Sequence, residues 1–463
     1  MSEAATIVRG AWALTMGPAG AIREGAVAFT GEGAITAVGP AEELIAANPG
    51  AEVIGDGNGI VLPGFVNAHT HLTEGLITGM GETAVLWEWF ERVVNPSGLR
   101  ITRDEVALGT RLKAVEMLES GITTVNDMSC HRNLGSLASL GAVDGLAEFG
   151  MRGVVSFGAE DMYDGAPAAD VFMAEHEALA DRIASERLID FRIGVGTVLG
   201  MSDELFGRTI KAAGENGWAV HTHLAEVREE ITESTLLHGG STIQHADRTG
   251  LLDHEVIAGH CIWCSENDIG LLASKDVAVS HNPVANMILA SGVCPVPRLL
   301  REGVRVGIGT DGAASNDSQD MFGAIKSAAL LQKVHHLQAV AMTAPRVLEM
   351  ATIGGAKALG KEKEIGSLEV GKRADVVLLD GNGPELAVLH DPFQQIVYGA
   401  TPRSVSEVWV DGELRVTGAE TVGVDRVSLA AEAREAARDL AIRGDMKGES
   451  VYAGPLDFEE EAR

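Results

Sequence analysis

Cysteine is scarce in this chain, with four in 463 residues, so a disulfide framework is excluded as the source of its stability. Cys261-Ile262-Trp263-Cys264 forms a single C-x-x-C pattern. With no second pair and no thioredoxin-like surroundings, both cysteines are assigned to packing. No stretch approaches the ~18 uninterrupted apolar residues of a membrane span. The opening residues Met1-Ser2-Glu3-Ala4-Ala5 lack a basic segment followed by an apolar run, so no secretory signal is expected. Basic charge is also short: 36 Lys and Arg stand against 66 Asp and Glu, a net charge of −30. Repulsion of that size argues against nucleic acid or anionic membrane as a partner. No G-x-G-x-x-G follows an early strand, which removes the dinucleotide fingerprint. A cytoplasmic protein acting on a small molecule is the expectation, with assembly into a homo-oligomer.

What is present is a composition of 46% hydrophobic and 22% charged residues, enough to bury a large core. The length suits a barrel of roughly 250 residues with a smaller satellite domain. Residues 1 to 58 read as short strands with Gly-rich turns: Ala5–Val8, Ala26–Thr30, Ile35–Val38 and Glu52–Ile54. Their complement lies in Ala374–Leu379, Val405–Val410 and Glu413–Val416. Segments 1–58 and 362–425 are therefore expected to form one discontinuous β-sandwich domain. Residues 426–463 read as a C-terminal helix (Ser428–Arg443) and tail.

The middle zone, 59–361, alternates strands with helices, the signature of a parallel sheet. Eight apolar runs stand out: Ile60–Val66, Thr123–Asp127, Gly153–Phe157, Phe191–Val195, Trp218–His223, Val256–His260, Val277–His281 and Val304–Thr310. Such runs suit strands buried on both faces. Helical stretches such as Glu105–Ser120, Asp203–Asn216 and Val296–Arg301 separate them. Eight units favour a closed (β/α)₈ barrel, an α/β fold.

The chain has 14 histidines, and their positions are informative. His69, His71, His223, His260 and His281 end predicted strands, as does Asp311 after the eighth, on the face where barrel enzymes keep their chemistry. His69 and His71, two apart in extended chain, face one side and can meet one ion. His223 adds a third nitrogen, with Glu226 just beyond it. Asp311 supplies an anionic oxygen; buried and unpaired it would be costly, which a metal explains. This set leaves a position open for water, as catalytic zinc sites do. Glu226 is placed to carry a proton between water and leaving group, and His260 to polarise substrate. His221 lies one layer deeper and His281 beside it along the rim; for each, support of the ligands and simple packing both stay open. The remaining histidines read as solvated or packed.

Several motifs now resemble one known family. Pro63-Gly64-Phe65-Val66-Asn67-Ala68-His69-Thr70-His71 is similar to the opening of amidohydrolase barrels. His221-Thr222-His223-Leu224-Ala225-Glu226, His281-Asn282-Pro283 and Gly309-Thr310-Asp311-Gly312-Ala313-Ala314-Ser315-Asn316-Asp317 resemble the branch holding S-adenosylhomocysteine/methylthioadenosine deaminases and triazine hydrolases. Gly366–Asp375 resembles that branch's return into its small β-domain. The resemblance covers roughly residues 5 to 420. It implies one divalent ion per chain, zinc first with Fe²⁺ or Co²⁺ as substitutes, held by His69, His71, His223 and Asp311. Glu226, His260 and Asp311 would act on water and substrate, with Ser315 and Asn316 behind them. No lysine lies in strand four (Phe191–Val198), where binuclear relatives carry a bridging lysine.

The implied reaction is hydrolytic displacement of an amine or halide from an electron-poor N-heterocycle. The same machinery would also cleave a urea, carbamate or thiocarbamate; a non-catalytic scaffold is the reading from another class, and it predicts missing ligands. Purine deaminases of the branch usually end strand four in Pro-His-x-Pro-Tyr, whereas here Val195-Gly196-Thr197-Val198-Leu199 puts glycine at the histidine. The loop Leu76-Ile77-Thr78-Gly79 also lacks an arginine common there. These departures predict that adenosine and S-adenosylhomocysteine are poor substrates.

Overall fold

Gly64 divides what reads as one apolar strand, Ile60–Val66, into two. In the computed structural model, which describes residues 5–446 and the backbone of 449–450 and 454–455, Ile60–Pro63 lies in an outer sheet. It pairs antiparallel with Val376–Leu379 and parallel with Trp12–Leu14. The first barrel strand is Phe65–Thr70 instead. The cause is steric: a Cβ on Gly64 would lie 2.1 Å from Thr123 Oγ1 of the next strand. Only glycine lets the chain pass so close, and the crossover moves His69 inside a strand and leaves His71 just past its end.

Seven further parallel strands follow: Ile122–Ser129, Arg152–Ala159, Ile193–Thr197, Val220–Leu224, Val256–His260, Ala278–His281 and Val306–Ile308. Each pairs in parallel with its sequence neighbour. The first and eighth meet through Asp311 N–H donating to the His69 carbonyl at 2.9 Å and Asn67 Nδ2 donating to Thr310 Oγ1 at 2.7 Å. The molecule is thus a nearly closed (β/α)₈ barrel. Helices on its outside begin where local chemistry allows: Thr102 and Glu105 form a reciprocal cap for Arg103–Glu119, and Ser202 caps Asp203–Asn216, which ends at Gly217 with φ 67°.

The terminal segments form two packed sheets. One orders Ile35–Pro40, Gly25–Phe29, Thr6–Arg9 and Glu52–Ile54; the other runs from Glu420–Thr421 through Val405–Val410 and Val376–Leu379 to Ala21–Arg23. Val8, Val27, Phe29, Val376, Leu378 and Trp409 fill the space between them. A buried ion network ties these sheets to the barrel. Arg152, at the start of the third barrel strand, donates to both oxygens of Asp375 at 3.1 Å and to Asp411 at 3.3 Å. The C-terminal helix runs Arg426–Gly444; the tail expected beyond it lies, from residue 447 on, almost wholly outside the described residues. Among the described residues no helix is long and apolar enough to cross a membrane, and the four cysteines form no disulfide.

Candidate functional site

Strand ends bring the chemistry together. His69 and His71 come from strand one, His223 from strand five, His260 from strand six, and Asp311 just after strand eight. Ala225, His260 and Asp311 adopt left-handed backbone, with φ of 53°, 70° and 65°. Non-glycine residues seldom do so, and such strain collects at sites where side chains are aimed for a purpose.

Hydrogen bonds fix the tautomers of His69, His71 and His223. Ser156 Oγ spends its proton on the Asp127 carbonyl at 2.9 Å, so its 3.1 Å contact with His221 Nδ1 is an N–H donated by His221. His221 Nε2 is then an acceptor, and it receives the Asn126 amide at 3.3 Å and His69 Nδ1–H at 2.8 Å. His71 Nδ1–H donates to the Met128 carbonyl and His223 Nδ1–H to the Gly196 carbonyl, each at 2.7 Å. All three Nε2 atoms therefore carry free lone pairs.

Those lone pairs face one another. His223 Nε2 lies 3.2 Å from both His69 Nε2 and His71 Nε2. Asp311 Oδ1 lies 3.3 Å from His69 Nε2 and 3.5 Å from His71 Nε2. Buried acceptors at such distances repel unless a cation sits among them. Ligands about 2.0–2.1 Å from a tetrahedral zinc are separated by about 3.3 Å, and these edges match. Burial holds His71 down to about 4 and His223 well below the usual histidine range, so neither answers the crowding by taking a proton. The donor set fits a divalent ion.

Glu226 and His260 stand beside this cluster. His260 Nδ1 donates to Asn286 Oδ1 at 2.9 Å, while Nε2 lies 3.5 Å from Glu226 Oε2 and 3.8 Å from Asp311 Oδ2. Glu230 accepts the backbone N–H groups of Ala225 and Glu226, at 3.0 and 2.8 Å, and so fixes the end of strand five. Burial pushes the Glu226 carboxyl up to about 7, against the pull of His260; a proton carrier works best in that range. Burial would raise Asp311 too, but the charge of His260 beside it holds it well below the usual carboxylate range.

Of the sequence-expected residues, His281 stays outside this cluster. It is buried with no polar partner for either ring nitrogen among the described residues, and burial lowers it to about 3, so it packs as a neutral ring. Asn316 donates to the Thr310 carbonyl at 2.7 Å and steadies the Asp311 loop, while Ser315 borders the pocket. Asn126, Asp127, Ser156 and Asn286 were not singled out from sequence. Asp127 accepts from Leu72 N–H at 2.6 Å and Ser129 Oγ at 2.8 Å, which anchors the chain after His71. It lies close to the end of a barrel strand, so the rule that found the histidines also points to it.

The site opens into a cavity of 360 Å³ with a floor of His71, His223, Glu226, His260 and Asp311 and an apolar wall that includes Leu86, Trp89, Phe90, Val94, Leu199 and Leu289. Much of that wall comes from Leu86–Gly98, an unpredicted helical insertion with a π-turn at Phe90–Val94. A larger and more open groove of 730 Å³ runs past Met16, Arg346 and Lys363. It contains none of the metal-type clusters found among the described residues, so the smaller cavity is the candidate.

Comparison with known proteins agrees with this geometry. The amidohydrolase family model matches residues 60–415. A 5′-deoxyadenosine deaminase of Methanopyrus kandleri is 35% identical over 381 residues, covering 82% of this chain and 86% of that protein. A 5-methylthioadenosine/S-adenosylhomocysteine deaminase of Desulforudis audaxviator is 37% identical over 422 residues, 91% and 94% of the two chains. Among solved structures, an adenosine deaminase from Xanthomonas campestris with bound zinc superposes with a TM-score of 0.88 at 31% identity, covering 95% of this chain and 99% of its own. Atrazine chlorohydrolase from Arthrobacter aurescens, complexed with zinc, shares the fold with a TM-score of 0.84 at 22% identity, covering 93% and 100%.

Proposed function

The chain belongs to the amidohydrolase family, and we propose that it is a mononuclear zinc hydrolase displacing an amine or halide from an N-heterocycle. One observation carries the proposal: three oriented lone pairs, with the Asp311 carboxylate 3.3 and 3.5 Å from two of them and Glu226 and His260 beside them. A divalent ion bound there would lower the pKa of a coordinated water towards neutrality and supply positive charge.

The side chains then have distinct tasks. Glu226, with its carboxyl near 7, takes the proton from the attacking water and returns it to the departing amine. A halide leaves without needing that second transfer. His260 donates to Asn286 through Nδ1–H, and Glu226 and Asp311 raise it against the effect of burial; as an imidazolium it also turns an Nε2–H towards the reacting centre and offsets negative charge as it develops on the ring. The apolar wall, with Trp89 and Phe90, receives a flat heterocycle and excludes bulk water.

Purified protein should contain about one zinc per chain and release ammonia from amino-substituted purines, or chloride from their chloro analogues. Two metals per chain, or a zinc-loaded protein inert towards every such compound while cleaving a urea or carbamate, overturns the proposal.

A further inference from the structure

Gly196 stands where the resemblance leads one to expect histidine, and the space is taken by a residue from another strand. A Cβ on Gly196 would lie 2.6 Å from Glu160 Cγ, and one on Gly200 would lie 2.5 Å from Glu160 Oε1. Both glycines make room for this carboxylate. Glu160 follows the third barrel strand, Arg152–Ala159, and the backbone around it is knit to the Gly196–Gly200 loop: Asp161 N–H and Met162 N–H donate to the Gly200 carbonyl at 2.9 and 3.0 Å.

Only part of Glu160's accepting capacity is used. Thr197 Oγ1 donates to Oε1 at 3.0 Å. Arg132 reaches Oε2 at 4.0 Å, the outer limit of an ion pair, and both side chains are 23% exposed. The Arg132 guanidinium lies over the Tyr163 ring, 4.4 Å from its centroid, and is fixed there. The Thr197 backbone also hydrogen-bonds to this carboxylate; a carboxylate has about four lone-pair sites, so Glu160 keeps accepting capacity in the wall of the reaction pocket. Gly196, against which Glu160 packs, also accepts from His223 Nδ1–H through its carbonyl.

We propose that Glu160, positioned by Arg132 and Thr197, is a substrate-recognition residue that accepts hydrogen bonds from an amino group or ring N–H on the heterocycle. The inference rests on the hydrolase reading above and narrows its substrate class to heterocycles with a donor edge beyond the leaving group. Unpaired acceptors discriminate in one direction. A substrate without the donor leaves the carboxylate stripped of water and unmatched, and one bearing its own carboxylate is repelled.

The test separates binding from turnover. Zinc-loaded wild type, Glu160→Ala and Glu160→Gln are titrated calorimetrically with purine and with 2-aminopurine, which differ in one amino group. In parallel, ammonia release is followed from adenine and from 2,6-diaminopurine. A hydrogen bond to a charged acceptor corresponds to roughly tenfold to hundredfold in affinity. Wild type should favour the 2-amino member of each pair by at least about tenfold, and Glu160→Ala should reduce that ratio to near one. Glu160→Gln preserves shape and should give an intermediate ratio, with zinc content unchanged in both variants. A wild-type ratio near one, or a ratio preserved in Glu160→Ala, overturns the proposal. A binding preference without turnover of either base counts against the hydrolase reading and leaves the recognition role standing.

Discussion

Replacing His221 with leucine tests whether the site is organised for metal by the groups behind its ligands. His221 Nε2 is the acceptor for His69 Nδ1–H at 2.8 Å, and both rings are fully buried. Without it, the His69 N–H has no partner, at a cost of about 1–3 kcal/mol. The metal-free protein escapes by moving the proton to Nε2. That form cannot bind an ion, so binding must restore Nδ1–H and bear the whole penalty. The penalty converts to a loss of roughly 5- to 150-fold in zinc affinity, in the range seen when a ligand's supporting partner is removed. His221→Gln, which offers an amide oxygen, should recover part of it. Competition against a chromophoric chelator measures the affinity, with circular dichroism confirming the fold. Zinc affinity of folded His221→Leu within about threefold of wild type would refute the tautomer argument.

Three other perturbations have defined outcomes. Glu226→Gln should keep its zinc and lose about 10²–10⁴-fold in turnover; normal turnover with zinc bound would move the proton carrier elsewhere. Arg152→Met leaves Asp375 buried without a cation, while Asp411 keeps Arg187 and Arg373, and denaturant unfolding should show a loss of about 3–5 kcal/mol; a change under 1 kcal/mol contradicts the role of the Arg152–Asp375 pair. Glu175, despite the opposing effect of burial, is held below its ordinary pKa by His131, 2.7 Å away. Because the folded value is the lower one, its contribution is fully present above about pH 4.3 and lost as pH falls through the folded value. The stability gap between wild type and Glu175→Gln should therefore shrink as pH falls below about 4, and a gap that stays constant through the acid range would refute the lowered carboxyl.

Much of the barrel was legible because strands buried on both faces must be written in Val, Ile and Ala, whatever the loops do. The helices Asp203–Asn216 and Val296–Arg301 have the bounds expected from sequence. Failure came where local pattern and tertiary path diverge. Ile60–Val66 is uninterrupted as a hydrophobic run, yet a contact with Thr123, nearly sixty residues away, requires it to change sheets at Gly64. Trp12–Leu14 and Ala21–Arg23 are too short to show a period at all. The turns around Leu86–Gly98 break the 3.6-residue repeat with a π segment and left no helical signal to read.

The site divides along the same line. A metal ligand is legible because its chemistry is its own: an imidazole at a strand end has few other uses, and several in order converge on one meaning. Supporting residues are not legible in that way, since Asn126 and Ser156 acquire a role only through where His221 places its protons. Glu160 is the extreme case. As a residue it is one of 66 acids; what makes it distinctive is the absence of side chains at Gly196 and Gly200, on a different strand and loop. The sequence departure at Gly196 reads first as a lost contact to substrate. In three dimensions the same glycine is the vacancy that admits a carboxylate, so the departure exchanges one recognition group for another of opposite hydrogen-bonding character. Substrate preference in this chain then rests on paired positions, Gly196 giving up volume and Glu160 filling it, and single-position comparison sees only half of the pair.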